Sequence, residues 1–334
     1  MLVVFVKTLL KNHPRLYNFC AQTRSVLKQA AENHKIIFTC RNWTSNPYVR
    51  SMLKVLLTPY CLLKYFYVKS DDNRSGLAFV LIAKNEAPYI EEWLNFHRKQ
   101  GVSHFIIYNN ESTDNFREVL QPYIDSGLVS YHVINGKPRQ LDAYNMAIHD
   151  YGHKFRYMGF IDADEFVFVR NNTYRGGGHD LYAYVDGFMK AHPKAGGIAI
   201  NWLMFGSNGH ISKPEGGVLK NYTTHIASDN PVNLHVKTIC DPMKVLAWAY
   251  NPHNPIYRRG FYALSENGEI IRGPFSERVS FDKIRINHYY SKSQQERMAK
   301  IKRGRATINI NRSTEIFERY DHSDVSDTEI LSCV

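Results

Sequence analysis

Three carboxylates occupy four consecutive positions in the segment FIDADEF, residues 160 to 166. They are Asp162, Asp164 and Glu165, and apolar residues lie on both sides. Burying a charged side chain is costly unless it is paired with an opposite charge or bound to a metal ion. The segment therefore predicts a cation beside these acids.

The acids follow YMGF, an apolar segment typical of a buried strand. Because alternate residues of an extended strand face the same side, Asp162 and Asp164 are expected to point into one cleft. Mg²⁺ and Mn²⁺ prefer oxygen ligands and often join protein carboxylates to substrate phosphates. A DxD motif in this place indicates a nucleoside diphosphate held with a metal. The alternative is that the two acids only cap the turn that follows.

Two more polar clusters follow predicted strands, KNE at 84–86 and NNESTD at 109–114. Ligands of open α/β sheets bind beyond the carboxyl ends of the strands, so Glu86 and Asp114 are expected near the DxD motif. Each residue also has a plainer interpretation. Glu86 could be a solvated acid at a helix start, and Asp114 could cap the helix that begins after it.

His288, in INHYY, follows another predicted strand. Histidine is a frequent metal ligand, although a single histidine is more often structural. The helix predicted next is rich in basic residues, which fits either a solvated face or the neutralisation of a departing diphosphate. These basic residues are Lys292, Arg297, Lys300, Lys302, Arg303 and Arg305.

Strand and helix patterns alternate four times before the DxD motif. This alternation predicts an α/β fold with a doubly wound, mostly parallel sheet flanked by helices. The predicted strands are 77–83, 104–110, 128–134 and 157–162, and the predicted helices are 88–101, 115–127 (ending near Pro122) and 139–152.

The second half is less regular. It contains predicted strands at 196–206 and 283–290, a hairpin turn at Asn267-Gly268, and a helix at 293–304 that begins with a capping box. We expect a helical N-terminal extension over residues 1–72, a main domain over 73–310, and a C-terminal tail over 311–334 whose last residues are loosely held.

The chain is basic, with 42 Lys and Arg against 31 Asp and Glu among 334 residues. Such a balance fits a nucleic acid, an anionic membrane surface or a phosphorylated substrate. The most apolar stretch, 51–70, is interrupted by Lys54, Pro59 and Lys64. It is therefore expected either to pack on the main domain as a helical hairpin or to lie on a membrane surface as an amphipathic segment.

Five scattered cysteines without a CxxC pair argue against a disulfide scaffold or a zinc finger and fit a reducing compartment. The N-terminus is apolar for too few residues to be a signal peptide. We therefore expect a cytoplasmic protein that can associate with the inner face of the cell membrane. The sequence also lacks Walker A, GxGxxG, GxSxG and HExxH motifs, which disfavours kinases, dehydrogenases, hydrolases and zincins.

With these residues in place, the chain resembles the GT-A glycosyltransferases, most closely glycosyltransferase family 92 and its bacterial family-2-like relatives. The resemblance covers about residues 78 to 304. The segments that carry it are KNEAPYIEEWLNFHRKQGVSHFIIYNNESTD, RQLDAYN, FIDADEF, NWLMFGSNG, VKTI and NHYYSKSQQE.

The resemblance implies a GT-A (Rossmann-like) fold and a metal-dependent, inverting transfer from a nucleotide sugar, plausibly a UDP-sugar. The acceptor would be a glycan or lipid-linked glycan in surface polysaccharide synthesis, and no nucleic acid partner is expected. By position, Asp164 is the more direct ligand of Mn²⁺ or Mg²⁺, Asp162 belongs to the metal or ribose site, and His288 lies near the metal. Glu86, Asp114, Arg139 and Gln140 would line the donor pocket.

One stretch departs from the family pattern. Relatives tend to carry a Glu-Arg pair where this chain has Lys220 and Asn221, in VLKNY, so the sugar specificity is open. The catalytic base must come from the less regular half, where Glu215 is the first candidate and Asp229 the second.

Two other functions fit the sequence. A nucleotidyltransferase on a similar sheet would also hold a metal with acids, although its usual glycine-rich loop is missing from AKNEAPY. A basic protein that binds a membrane or nucleic acid would instead bind in a strongly salt-dependent manner without a divalent metal.

Overall fold

The computed structural model describes residues 73–136, 138–170, 180–249, 251–303 and 314–334. The predicted N-terminal extension and its amphipathic segment lie outside these ranges. Within them, no helix combines the length and the apolar character needed to cross a bilayer.

The predicted parallel sheet is confirmed in the first half of the domain. β1 lies between β4 and β2, β3 follows β2, and all of these pairs are parallel. All seven residues of β1 are buried, as expected for an internal parallel strand. The strands are β1 (Leu77–Ala83), β2 (His104–Asn109), β3 (Val129–Val133) and β4 (Tyr157–Phe160).

Helices cover both faces of this sheet. Alternate residues of β1 belong to two different hydrophobic clusters, since Phe79 packs with α1 and α2 and Val80 packs with α3. This two-sided burial explains why β1 reads as an uninterrupted apolar run. The helices are α1 (Ala87–Lys99), α2 (Phe116–Asp125) and α3 (Gln140–Tyr151).

The second half extends the sheet with mixed pairing. β8 runs antiparallel to both β4 and β6, and β11 runs parallel to β6. The predicted hairpin is confirmed, because β11 pairs with β12 across a turn in which Gly268 adopts φ +82°. The elements are α4 (Leu181–Ala191), β6 (Ala195–Met204), β8 (Val236–Cys240), β11 (Tyr262–Leu264) and β12 (Ile270–Ile271).

β13 (Ile284–His288) carries His288 to the DxD motif. It runs antiparallel to β5 (Glu165–Val169) on one side and parallel to β6 on the other. His288 is paired with Glu165 in this register, and the Tyr289 amide donates to the Asp164 carbonyl at 2.8 Å. The predicted strand at 283–290 is thus confirmed, and its end lies beside FIDADEF.

Two local predictions differ from the structure. α2 does not end near Pro122 but continues to Asp125, because proline removes only its own amide donor and the residues after it still form helical bonds. β4 ends at Phe160, and residues 162–165 form a turn closed by a hydrogen bond from the Glu165 amide to the Asp162 carbonyl.

The C-terminal segment, residues 314–334, is packed on the domain, so the expectation of loosely held last residues was wrong. Phe317 and Ile330 are buried, and Glu329 pairs with Arg170 at 2.7 Å. The sequence did not predict these apolar and ionic contacts because the segment that makes them is mostly polar. The segment contains α7 (Thr314–Tyr320) and β14 (Val325–Ser326), and β14 pairs with β7 (Thr224–His225).

Short elements complete the described chain. They are α5 (Val218–Asn221), β9 (Val245–Ala247), β10 (Ile256–Tyr257), α6 (Gln294–Arg303), and the 3₁₀ helices Pro231–Leu234 and Glu329–Cys333.

Candidate functional site

A cleft of about 350 Å³ lies beyond the carboxyl end of β1. Its walls include three acids predicted for the site, Glu86, Asp114 and Asp164, and two lysines, Lys292 and Lys300. The three polar clusters that follow β1, β2 and β4 therefore converge, as the parallel topology predicts.

Asp164 faces cations on the cleft wall. Its Oδ2 is bound by the ammonium of Lys300, and its Oδ1 lies 3.6 Å from His288 Nε2. Burial raises the pKa of Asp164, but Lys300, His288 and Lys292 outweigh it and hold that pKa well below its usual range. Asp164 is consequently ionised at neutral pH.

Asp162 faces a different cation. Its Oδ2 lies 2.9 Å from Nζ of Lys237, a residue of β8 that is 1% exposed. The same ammonium lies 3.4 Å from Oε2 of the fully buried Glu165. Because 162–165 is a turn and not an extended strand, the two aspartates do not alternate along one face as predicted. Each has its own lysine.

Lys237 and the two acids beside it, Asp162 and Glu165, shift one another's pKa values. Burial raises the pKa of Glu165 to about 7, although Lys237 opposes this shift. Burial lowers the pKa of Lys237, but Asp162 and Glu165 outweigh it and hold that pKa well above its usual value. Glu165 also accepts a hydrogen bond from the Asp162 amide at 2.9 Å. Lys237 and Glu165 thus fix both the backbone and the side chain of Asp162.

Gln140 belongs to this side of the site. Its amide nitrogen donates to Asp162 Oδ1 at 3.1 Å and contacts the Tyr144 hydroxyl at 2.9 Å. Arg139 precedes it at the start of α3 and pairs with Asp142 at 3.0 Å. The structure therefore places Gln140 directly against the DxD motif, with Arg139 next to it in the chain.

Asp114 caps a helix, but not the one predicted. Its Oδ2 accepts from the amide of Ala87, the first residue of α1, at 3.0 Å. Its Oδ1 is buried and has no hydrogen-bond partner among the described residues. Glu86 is buried at the N-terminus of the same helix. Asp114 and Glu86 therefore lie both at the start of α1 and on the wall of the cleft.

Asp164 and His288 supply two donors that fit a divalent cation. The 3.6 Å between their facing atoms would allow both residues to hold one ion. His288 Nδ1 is buried without a hydrogen-bond partner in the described chain, while Nε2 faces Asp164. The described residues contain no group of three or more acids, histidines or cysteines able to hold a metal alone.

The two candidate bases lie elsewhere. Glu215 and Asp229 are both exposed, in loops on either side of α5 and β7. Neither contributes to the described walls of the cleft. Their catalytic role stays a prediction.

The sequence interpretation missed Lys237. It lies within VKTI, in a strand of five buried residues. A lysine in a buried strand requires an acidic partner, and FIDADEF requires a cation. Together these two requirements could have predicted that Lys237 pairs with the acids of FIDADEF. Tyr89 and Glu296, which also line the cleft, gave no comparable signal because each lies in an ordinary helical pattern.

Comparison with known proteins identifies the family. The sequence model of Glycosyltransferase family 92 matches residues 81–328. The chain belongs to glycosyltransferase family 92. The match spans the cleft, the DxD turn and most of the C-terminal segment, so the family resemblance and the α/β fold derived from the sequence are confirmed.

Curated relatives match over shorter regions. A family 92 protein of Arabidopsis thaliana is 26% identical over 168 residues, which cover 48% of this chain and 29% of the relative. Galactan beta-1,4-galactosyltransferase GALS2 of the same plant is 36% identical over 90 residues, covering 24% of this chain and 17% of the relative. The chain thus matches less than a third of the length of either protein.

Among solved structures, S. aureus TarS 1-349 in complex with UDP is 14% identical and has a TM-score of 0.33. That match covers 50% of this chain and 47% of the TarS chain.

Proposed function

We propose that this family 92 member is a metal-dependent, inverting glycosyltransferase that moves a sugar from a UDP-sugar to a hydroxyl of a glycan or lipid-linked glycan. One observation carries the proposal. Asp164, Lys292 and Lys300 line a cleft beyond the carboxyl ends of the parallel strands, and His288 lies 3.6 Å from Asp164. A diphosphate with its cation is the ligand that best complements one carboxylate, one imidazole and two ammonium groups.

Asp164 and His288 would hold Mn²⁺ or Mg²⁺, with Asp162 as the further predicted ligand. When bound, the ion supplies positive charge against the diphosphate. Lys300 binds Asp164 and lies 4.2 Å over the Tyr290 ring, which keeps its charge beside the same carboxylate. Lys237 pairs with Asp162 at 2.9 Å and orients its carboxylate.

The rest of the donor would be bound by the predicted nucleotide residues. Asp114 Oδ1 is buried without a hydrogen bond from the described chain, so it can accept one from a ribose hydroxyl. Gln140, Arg139 and Glu86 surround the same end of the sheet. In the transfer, a carboxylate of the protein takes the acceptor proton. Glu215 and Asp229 stay the predicted sources of that carboxylate.

The relative named as a galactan galactosyltransferase suggests the first donor to test, UDP-galactose. A role in surface polysaccharide synthesis, at the inner face of a membrane, is the setting that we infer from the basic charge and from the resemblance.

The proposal is tested by incubating the protein with a panel of nucleotide sugars, with Mn²⁺, with Mg²⁺ or with EDTA, and by identifying the released product. We expect a nucleoside diphosphate, more of it with metal, and a fall in kcat/KM of at least about 100-fold for Asp164→Asn. Asp125→Asn, an exposed aspartate on α2, is the matched control and should leave the rate unchanged.

Release of pyrophosphate would instead identify a nucleotidyltransferase. Full activity of Asp164→Asn, with an unchanged circular dichroism spectrum, would overturn the metal and diphosphate assignment.

A further inference from the structure

Lys292 is buried and makes no ion pair with any residue that the structure describes. Its residue is 6% exposed, and it lines the cleft. Within the described chain its ammonium has neither a hydrogen bond nor a carboxylate within ion-pair distance, and it lies 3.3 Å over the centre of the Tyr89 ring. Lys300, on the same wall, is already bound to Asp164 and to the Tyr290 carbonyl. The charge of Lys292 therefore lacks a direct anionic complement.

The backbone at Lys292 is strained. Its φ is +50°, a left-handed conformation that side-chain-bearing residues rarely adopt. Such strain persists only where the surroundings enforce it, and it concentrates at functional sites. Here the next residue, Ser293, is fixed by two acceptors, since its amide donates to the Tyr222 hydroxyl and to Glu296 Oε2, both at 3.1 Å.

Tyr89 holds the lysine in place. The Tyr89 hydroxyl donates to Glu296 Oε1 at 2.6 Å, which fixes the ring beneath the ammonium. An aromatic ring attracts a cation over its face without neutralising its charge. Glu296 is itself occupied, because it also accepts from Tyr222 at 2.5 Å. The arrangement keeps a dehydrated positive charge at the cleft surface.

We propose that Lys292 is a catalytic residue that binds the diphosphate of the donor, and that Tyr89 is the positioning residue that orients it. The inference rests on the proposed function and names the residue that meets the leaving group. In the transfer, an acceptor oxygen forms the new bond to the anomeric carbon while the bond from that carbon to the phosphate oxygen breaks. The electron pair of the broken bond stays on that oxygen, and the acceptor proton goes to a carboxylate of the protein. Lys292 would stabilise the negative charge that this oxygen gains.

The test measures binding of UDP, GDP, ADP and CDP by titration calorimetry. Whichever diphosphate binds the wild type, its nucleoside is then tested as well. We expect Lys292→Met to weaken diphosphate binding at least 10-fold and to leave nucleoside binding, followed by saturation-transfer NMR, unchanged. Lys302→Met, an exposed lysine on α6, is the control and should bind as the wild type does.

Lys292→Gly is a second variant in case Lys292→Met fails to fold, because glycine adopts a positive φ without strain. This variant should unfold at a higher temperature than the wild type and still lose the same factor in diphosphate affinity. Tyr89→Phe keeps the ring but loses the hydroxyl that fixes it, so it should lose less affinity than Tyr89→Leu, which loses the ring as well.

Diphosphate affinity within twofold of the wild type in both Lys292 variants would overturn the inference and leave the proposed function standing. A wild-type protein that binds none of the four diphosphates would overturn both.

Discussion

At the scale of single residues, the cations opposite FIDADEF are two lysines from distant parts of the chain. Asp162 meets Lys237 and Asp164 meets Lys300. The sequence revealed the acids because three of them stand together between apolar residues. It did not reveal Lys237, since pairing of β8 with β4 brings residues about eighty positions apart into register, and no local pattern records that crossing.

Lys237 supports a prediction about stability. Replacing it with methionine leaves Asp162 and the buried Glu165 without their cation, and breaking a buried ion pair on one side costs about 3 to 5 kcal/mol. We expect Lys237→Met to lower the free energy of unfolding by that amount in urea titrations at pH 7.

The double variant Lys237→Met/Glu165→Gln should recover part of this loss, because it removes one of the two carboxylates left unpaired. If Lys237→Met alone were as stable as the wild type, a structural role for the contacts of Lys237 with Asp162 and Glu165 would be contradicted.

At the scale of elements, the parallel half of the sheet could be predicted because its strands are continuous apolar runs and its helices have clear periodicity. The turn at 162–165 could not be predicted, since its residues alternate like a strand and the hydrogen bonds between Asp162 and Glu165 leave no local sequence pattern. His97 is another link between elements that periodicity does not show. It lies on the buried face of α1, and its Nε2 accepts from the Val167 amide of β5 at 3.1 Å.

His97 predicts a dependence of stability on pH. Burial lowers its pKa to about 3. Its folded pKa is thus below the unfolded value near 6.5, so its contribution is complete above about pH 6.5 and is lost progressively as the pH falls toward 3. The loss should approach about 1.4 kcal/mol per pH unit.

Urea unfolding of the wild type and of His97→Phe at pH 7, 6 and 5 would measure this contribution. The difference in unfolding free energy between the two proteins should shrink as the solution is acidified. A constant difference would show that His97 takes up its proton equally in both states.

At the scale of the whole molecule, the C-terminal segment packs behind one wall of the cleft. Phe317 stacks on Tyr290 with ring centres 4.7 Å apart, and Asp321 pairs with Arg297 of α6 at 3.2 Å. Tyr290 in turn lies under Lys300. The sequence could not show this, because the segment is polar and its few apolar residues have no period.

Gly206 predicts how this docking can be disturbed. A β-carbon at Gly206 would collide with the His322 carbonyl, which is backbone and cannot rotate away. We expect Gly206→Ala to displace residues 314–334 and to make them sensitive to limited proteolysis. Gly187→Ala is the control, because no atom lies within 4 Å of its added β-carbon and alanine favours the α4 helix.

The cleavage pattern of Gly187→Ala should match that of the wild type. Equal protection of the segment in both variants would show that the chain accommodates the added carbon without undocking.

The position of β13 makes the two walls of the cleft mechanically unequal. β13 is bonded on both sides, so His288 cannot shift without breaking hydrogen bonds to β5 and β6. Lys292 lies just before α6, and Lys300 lies within it. This helix is largely exposed and is held by its cap and by side chains. We therefore expect α6 to move more readily than β13 when the cleft opens.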